Sequence, residues 1–260
     1  MAGAKLMSIK LKALSPIRQR ILPVYLYGQP IEIDKVQKIC SKHKIYLIED
    51  AAQAHGSVYK GQKLGSFGKL SCFSFYPTKN VGAIGDGGAI ATNDKKLMQV
   101  CSQIRDYGQE KKYVHIRFGL NSRLDELQAA LLLVKLKYLD KDNGKRRKIA
   151  ATYIKYLSKI KEIRLVLPSN INDSNYHLFV IRTKERDALK KYLESQGIPS
   201  LIHYPITIPD QPMFEKKYKN IKIPESRKLV KDVLSLPCNP MLEIDDVIYI
   251  SNKIKDYFDR

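Results

Sequence analysis

Lys79 follows a run of aromatic and apolar residues, Phe73-Ser74-Phe75-Tyr76-Pro77-Thr78, and precedes Gly82, Gly85, Gly87 and Gly88. A lysine held against an apolar site loses solvation of its charged form, which lowers its pKa and favours a neutral, nucleophilic amine. The glycines let the backbone turn tightly and pass close to a ligand. A loop lysine taken alone is most often solvent-facing; these neighbours set Lys79 apart. Asp50 ends an apolar run and so falls at the carboxyl end of a strand, the end that lines the ligand crevice in open α/β sheets. Acids there also serve as turn and capping residues, so Asp50 gains weight only in company. Gln53 lies three residues on, across Ala51 and Ala52, whose small side chains permit close approach of a flat ligand. Ser74 adds a hydroxyl on the strand that leads to Lys79.

Other chemistries fail on spacing. Gly68-Lys69 would need Gly at 63 and Ser or Thr at 70 to form a nucleoside-triphosphate loop, and the chain has Lys63 and Leu70. The glycines of 82–88 lack the dinucleotide-binding spacing. Cys40, Cys72, Cys101 and Cys238 are far apart, form no CxxC pair, and read as reduced, mostly buried thiols rather than a disulfide or zinc framework. The net charge of +20 is spread along the chain, with its densest run at Lys145-Arg146-Arg147-Lys148. It reads as a lysine-rich solvated surface or as a field for an anionic substrate. No helix-turn-helix signature accompanies it, so nucleic acid is not expected as a partner. No apolar run reaches the roughly 18 residues a membrane span needs, and residues 1–20 lack the unbroken apolar stretch of a signal peptide. The expected location is the cytoplasm.

The elements that must position these residues follow from hydrophobic pattern. Residues 21–27 read as a buried strand, 31–44 as an amphipathic helix with Ile31, Val36, Ile39 and Cys40 inward, and 45–48 as a second strand running into Glu49-Asp50. Strand, helix and strand make a βαβ unit with parallel pairing. Two more strands fit 71–75 and 88–92, and Asp94 reads as the N-cap of a helix to about 107. Two long helices are expected at 124–139 and 146–160. A strand at 177–183, a helix at 186–196 closed by Gly197, a strand at 200–204, a proline-rich loop and a final helix at 244–258 complete the chain. The pattern predicts an α/β domain over 1–150 and a smaller α+β domain over 151–260, with 260 residues enough for both.

Taken together and in order, these segments resemble the DegT-type sugar aminotransferases, a pyridoxal-phosphate family of the aspartate-aminotransferase fold (fold type I). The matching runs are LPVYLYGQP from Leu22, IEDAAQAHG from Ile48, FSFYPTKN from Phe73, GDGGA from Gly85, NSRLDELQAA from Asn121, SLIHYP from Ser200 and VLSLP from Val233. The resemblance implies a pyridoxal 5'-phosphate (PLP) cofactor bound covalently by Lys79, which also moves the proton between substrate carbon and cofactor carbon. It implies that Asp50 pairs with the pyridine nitrogen, that Gln53 contacts the ring face or its hydroxyl side, and that Ser74 hydrogen-bonds the cofactor phosphate. Asn121 would reach the phosphate in the partner subunit's site, since these sites form at a homodimer interface. The implied reaction moves an amino group from an amino acid, commonly glutamate, to a keto-deoxysugar carried on a nucleoside diphosphate.

Two positions depart from the family's wording: Pro209 and Asn239 stand where histidines are common. In the family the cofactor lysine lies near mid-chain, whereas 78 residues precede Lys79. The resemblance therefore implies a fold lacking its N-terminal part, about 100 residues, with the match starting at Leu14-Ser15-Pro16. The absent part would carry a phosphate-cradling turn and a ring-stacking aromatic, and a separately encoded N-terminal piece is one expected partner. The alternative expectation is a non-catalytic remnant or a regulatory binding protein of the same family.

Overall fold

The computed structural model describes residues 20–218 and 220–260. The expectations for residues 1–19, including the start of the family pattern at Leu14, lie outside them. Strand β1 (Arg20–Ile21) leads to helix α1 (Ile33–His43), strand β2 (Tyr46–Asp50), the small hairpin β3 (Val58–Tyr59) and β4 (Gln62–Lys63), and strands β5 (Leu70–Ser74) and β6 (Gly88–Ala91). Strands β1, β2, β5 and β6 form one sheet in that order. The first two pairings are parallel and β5–β6 is antiparallel. The βαβ expectation is met: α1 buries Ile33, Val36 and Cys40 against Leu47 of β2, with Tyr25, Ala51, Ala54 and Leu64 in the same cluster.

The expected strand at 21–27 is shorter than its apolar run suggests. Pro23 has no N–H to give a ladder. Its carbonyl still accepts from Asp50 N over 3.0 Å, and Tyr25 N donates to Asp50 O over 3.1 Å. Tyr27 and Gly28 then turn into positive φ, 64° and 82°, which ends the extension. At Gly28 an added Cβ would fall 1.8 Å from Asn175 Oδ1, so only glycine fits.

Helix α2 (Lys95–Arg105) begins where expected, with Asp94 accepting from Lys96 N and Leu97 N. The hairpin β7 (Gln109–Lys111) and β8 (Val114–His115) follows. The two helices expected at 124–139 and 146–160 are one, α3 (Glu126–Leu157), 32 residues long. Asp142-Asn143-Gly144 has the composition of a break. It does not break because the Asn143 amide is engaged by partners outside the helix rather than by its own backbone.

Beyond α3, strand β9 (Arg164–Leu165) and strand β10 (Phe179–Arg182) precede helix α4 (Arg186–Ser195), the short α5 (Glu215–Tyr218), α6 (Pro224–Asp232), strand β11 (Val233–Leu236) and α7 (Ile244–Phe258). Strands β11, β10 and β9 form an antiparallel sheet. The core here joins Ile149, Tyr153 and Leu157 of α3 to Phe179 and Ile181 of β10, Leu189 and Leu193 of α4, and Val247, Ile250 and Ile254 of α7. Tyr153 stacks on Phe179 with ring centroids 4.8 Å apart. The expected strand at 200–204 reduces to a single bridge, Leu201 to Ser235. The cysteines are free as expected, but only Cys40 and Cys238 are buried; Cys72 is exposed. Among the described residues no helix is long and apolar enough to cross a membrane.

Candidate active site

Strand β2 ends in two acids that face opposite ways, because successive side chains on a strand alternate. Glu49 shares the buried face with Leu47, whereas Asp50 shares the less buried face with Ile48. The Asp50 carboxylate accepts from Ala52 N over 3.1 Å, a local turn that orients it at the strand's carboxyl end. Lys79 faces it. Burial pushes the half-buried Lys79 amine below the usual lysine range, opposed by the Asp50 carboxylate, which favours the charged form.

The Lys79 segment is shaped by short-range backbone bonds and by one helix. Lys79 N donates to Tyr76 O over 2.8 Å, and Ala83 N returns to Phe75 O over 2.8 Å. At Gly82 an added Cβ would come 2.3 Å from Pro77 O, so the chain folds back on itself too closely for any side chain. Helix α3 supports this segment along one stripe. Gln128 Oε1 accepts from Ile84 N over 2.9 Å, and Leu132 packs on Val81 and Ala83. Lys135 Nζ donates to Gly82 O over 2.7 Å, and Asn143 Oδ1 accepts from Asn80 Nδ2 over 2.8 Å. These positions recur at helical spacing, so one face of α3 reads residues 80–84 in order.

Gln53 is buried and held at both ends. Its Oε1 accepts from Tyr27 N over 2.6 Å, and its Nε2 donates to the Tyr204 hydroxyl over 3.3 Å. Ser74 Oγ accepts from Tyr76 N over 3.3 Å, which leaves the hydroxyl hydrogen to donate elsewhere. Asn121 stands apart. Its side chain is exposed and accepts from Arg123 Nε over 3.0 Å, and its backbone bridges to Asp106; neither partner belongs to the Lys79 cluster.

Three histidines ring the lysine, and the sequence reading gave none of them a role. His55 is buried, packed against Phe73 and Phe75 with centroids 5.6 and 5.9 Å away, and neither ring nitrogen has a hydrogen-bond partner among the described residues. Burial, with Lys79 adding to it, pushes His55 down to about 4. His177 is buried with Nδ1 3.0 Å from Asn80 Oδ1, and burial followed by Lys79 pushes it down to about 3. His203 bonds Ser235 Oγ through Nδ1 at 2.8 Å, and it too is lowered by burial and then by Lys79. The available signal was the placement of polar residues within apolar stretches, His55 after Ala-Gln-Ala and His177 before Leu-Phe-Val.

The donor set fits PLP. It offers an amine whose charged form burial disfavours, a carboxylate at a strand end whose charge acts on that amine, and the buried small residues Ala51 and Ala54 on either side of Gln53 in the chain.

The sequence pattern of the DegT/DnrJ/EryC1/StrS aminotransferase family matches residues 8–255. The chain is 44% identical over 239 residues to a dTDP-3-amino-3,6-dideoxy-alpha-D-galactopyranose transaminase of Aneurinibacillus thermoaerophilus, covering 91% of this chain and 65% of that protein. It is 42% identical over 250 residues to a pleiotropic regulatory protein of Geobacillus stearothermophilus, covering 95% and 67%. The crystal structure of S. venezuelae DesV in complex with a ketimine intermediate superposes with a TM-score of 0.91 at 38% identity, over 95% of this chain and 67% of that one. The chain thus spans about two thirds of the length of the curated relatives it matches.

Proposed function

Because the chain belongs to the DegT/DnrJ/EryC1/StrS aminotransferase family, whose cofactor is pyridoxal 5'-phosphate, we propose that it serves the transfer of an amino group from an amino acid, glutamate first among candidates, to a keto-deoxysugar on a nucleoside diphosphate. The observation that carries this reading is the half-buried Lys79 amine in the field of the Asp50 carboxylate at the carboxyl end of β2. When bound, the cofactor supplies an electron sink for the carbon that loses or gains the proton. Lys79 would hold it covalently through Nζ; once the donor's amino group has displaced that bond, the freed Nζ would pass the proton of the donor's α-carbon to the cofactor carbon and, in the return half of the exchange, carry one from there to the sugar carbon that receives nitrogen. Asp50 holds a positive charge on the pyridine nitrogen.

Gln53, fixed through Tyr27 N and Tyr204, has a second amide hydrogen for the ring hydroxyl. The free hydroxyl hydrogen of Ser74 serves the phosphate. His55, His177 and His203 stay uncharged beside the lysine at neutral pH, which keeps further positive charge away from the amine. Asn121, exposed and outside this cluster, reaches across a homodimer into the partner's phosphate site. The reading places the protein in the cytoplasm and divides it near residue 150, with the Lys79 site in the first part.

Incubation with PLP, borohydride reduction and peptide mapping test it. A stoichiometric phosphopyridoxyl label on Lys79 is expected. A label on another lysine, or none, overturns the reading.

A further inference from the structure

One backbone carbonyl sets the polarity of a chain of side chains ending at His177. The carbonyl of His55 can only accept, and it takes 2.9 Å and 3.0 Å bonds from the amide nitrogens of Asn143 and Asn175. With Asn143 Nδ2 committed there, its Oδ1 faces Asn80. Asn80 must then present Nδ2, and does so over 2.8 Å. That leaves Asn80 Oδ1 toward His177 Nδ1 at 3.0 Å, and an acceptor oxygen there requires the hydrogen on Nδ1. The ring is fixed on its backbone as well: His177 N donates to Asn175 Oδ1 over 2.9 Å, and its carbonyl accepts from Arg146 Nη1. We propose that His177 is a positioning residue for Lys79, locked by Asn143 and Asn80 as the Nδ1–H tautomer so that it anchors Asn80, the residue next to the lysine, while its Nε2 carries no proton.

Burial first, then the charges of Lys79 and Arg146, oppose a second proton on the ring, and the titratable His55 and His203 add to this only when they are themselves charged. A charged ring here would set an imidazolium beside the Lys79 amine. The bonding chain avoids this and still pins the loop backbone through Asn80. This role rests on the reading of Lys79 as the cofactor-binding amine.

Nitrogen-15 spectroscopy of the histidine rings in the full chain without cofactor tests the tautomer directly. The His177 ring is expected to carry its proton on Nδ1 alone between pH 5 and 8; a proton on Nε2, alone or as a second one, overturns the inference. The anchoring is tested by His177→Leu, which cannot donate to Asn80, against His177→Gln, which can. Amide exchange at residues 79–82 should quicken about 5- to 10-fold in the leucine variant, the worth of one buried hydrogen bond, and stay within about 2-fold in the glutamine variant. The rate of borohydride labelling by PLP should fall in the same proportion in the first and not in the second. Equal behaviour of the two variants overturns the anchoring role. Should the leucine variant fail to fold, the ring spectrum of the native chain decides. An unlabelled Lys79 brings down the reading of the site and this role with it. A labelled Lys79 beside an Nε2-protonated ring brings down this role alone.

Discussion

The hydroxyl of Tyr25 donates to Glu49 Oε2 across 2.6 Å, inside the core and on the opposite face of β2 from Asp50. The same carboxylate accepts from the backbone N–H groups of Gly65, Phe67 and Gly68, two donors on each oxygen once Tyr25 is counted. Every partner is a donor, so both oxygens are needed as acceptors. Replacing one by an amide in Glu49→Gln turns an NH2 group toward N–H donors and should cost about 2–3 kcal/mol of stability. Tyr25→Phe removes one donor and should cost about 1 kcal/mol. Urea unfolding measures both; a glutamine variant as stable as the native chain contradicts this account.

The neighbouring acid should behave in the reverse way. Asp50→Asn keeps an oxygen for Ala52 N, so its urea midpoint should stay close to native. On the proposed reading it loses the charge that would favour a protonated pyridine. PLP affinity, followed by fluorescence titration, should weaken about 10- to 100-fold, the worth of one charge-assisted hydrogen bond. Native-like affinity would remove Asp50 from the site.

Gly82→Ala should disturb the lysine without touching it. The added methyl meets Pro77 O at 2.3 Å, a backbone atom that cannot swing away. Overpacking of this kind costs about 1–3 kcal/mol. The displaced segment should also slow borohydride labelling at Lys79, where the control Gly144→Ala, with open space around its Cβ and ordinary helical backbone, should leave the labelling rate unchanged.

Acid should destabilise the fold in a defined window. His177 and His55 are pushed down to about 3 and about 4, below the unfolded value of 6.5. Between those values and pH 6.5 the unfolded chain binds more protons, so stability falls as pH falls. Each ring contributes up to about 1.4 kcal/mol per pH unit. His55→Leu removes one of these dependences, to which the lowered His203 also adds, and should flatten the stability profile between pH 6.5 and 4. An unchanged slope, read from urea midpoints across that range, would show that His55 is not buried uncharged.

The parts legible from sequence were those written locally. The βαβ unit, the Asp94 cap and the final helix follow from periodicity and capping within a few residues, and α7 spans the expected 244–258. Lys79 and Asp50 were visible because apolar runs and glycines sit beside them in the chain. The continuity of α3 was not, since Asp142-Asn143-Gly144 reads as a break until the remote partners of Asn143 are known. His177 owes its place to Asn80, 97 positions away, and no local pattern carries such a pairing. Glu49 was within reach: two adjacent acids on a strand must point to opposite faces, and one of them had to be buried.

Helix α3 has a mechanical consequence for the chemistry at Lys79. Between Gln128 and Asn143 it runs about 22 Å as a rigid rod, and along that length it fastens residues 80–84 by backbone and side-chain ties. A segment lashed to a rod in this way cannot swing. The travel available to the Lys79 nitrogen is then that of its own side-chain bonds, a short-armed crane on a fixed footing.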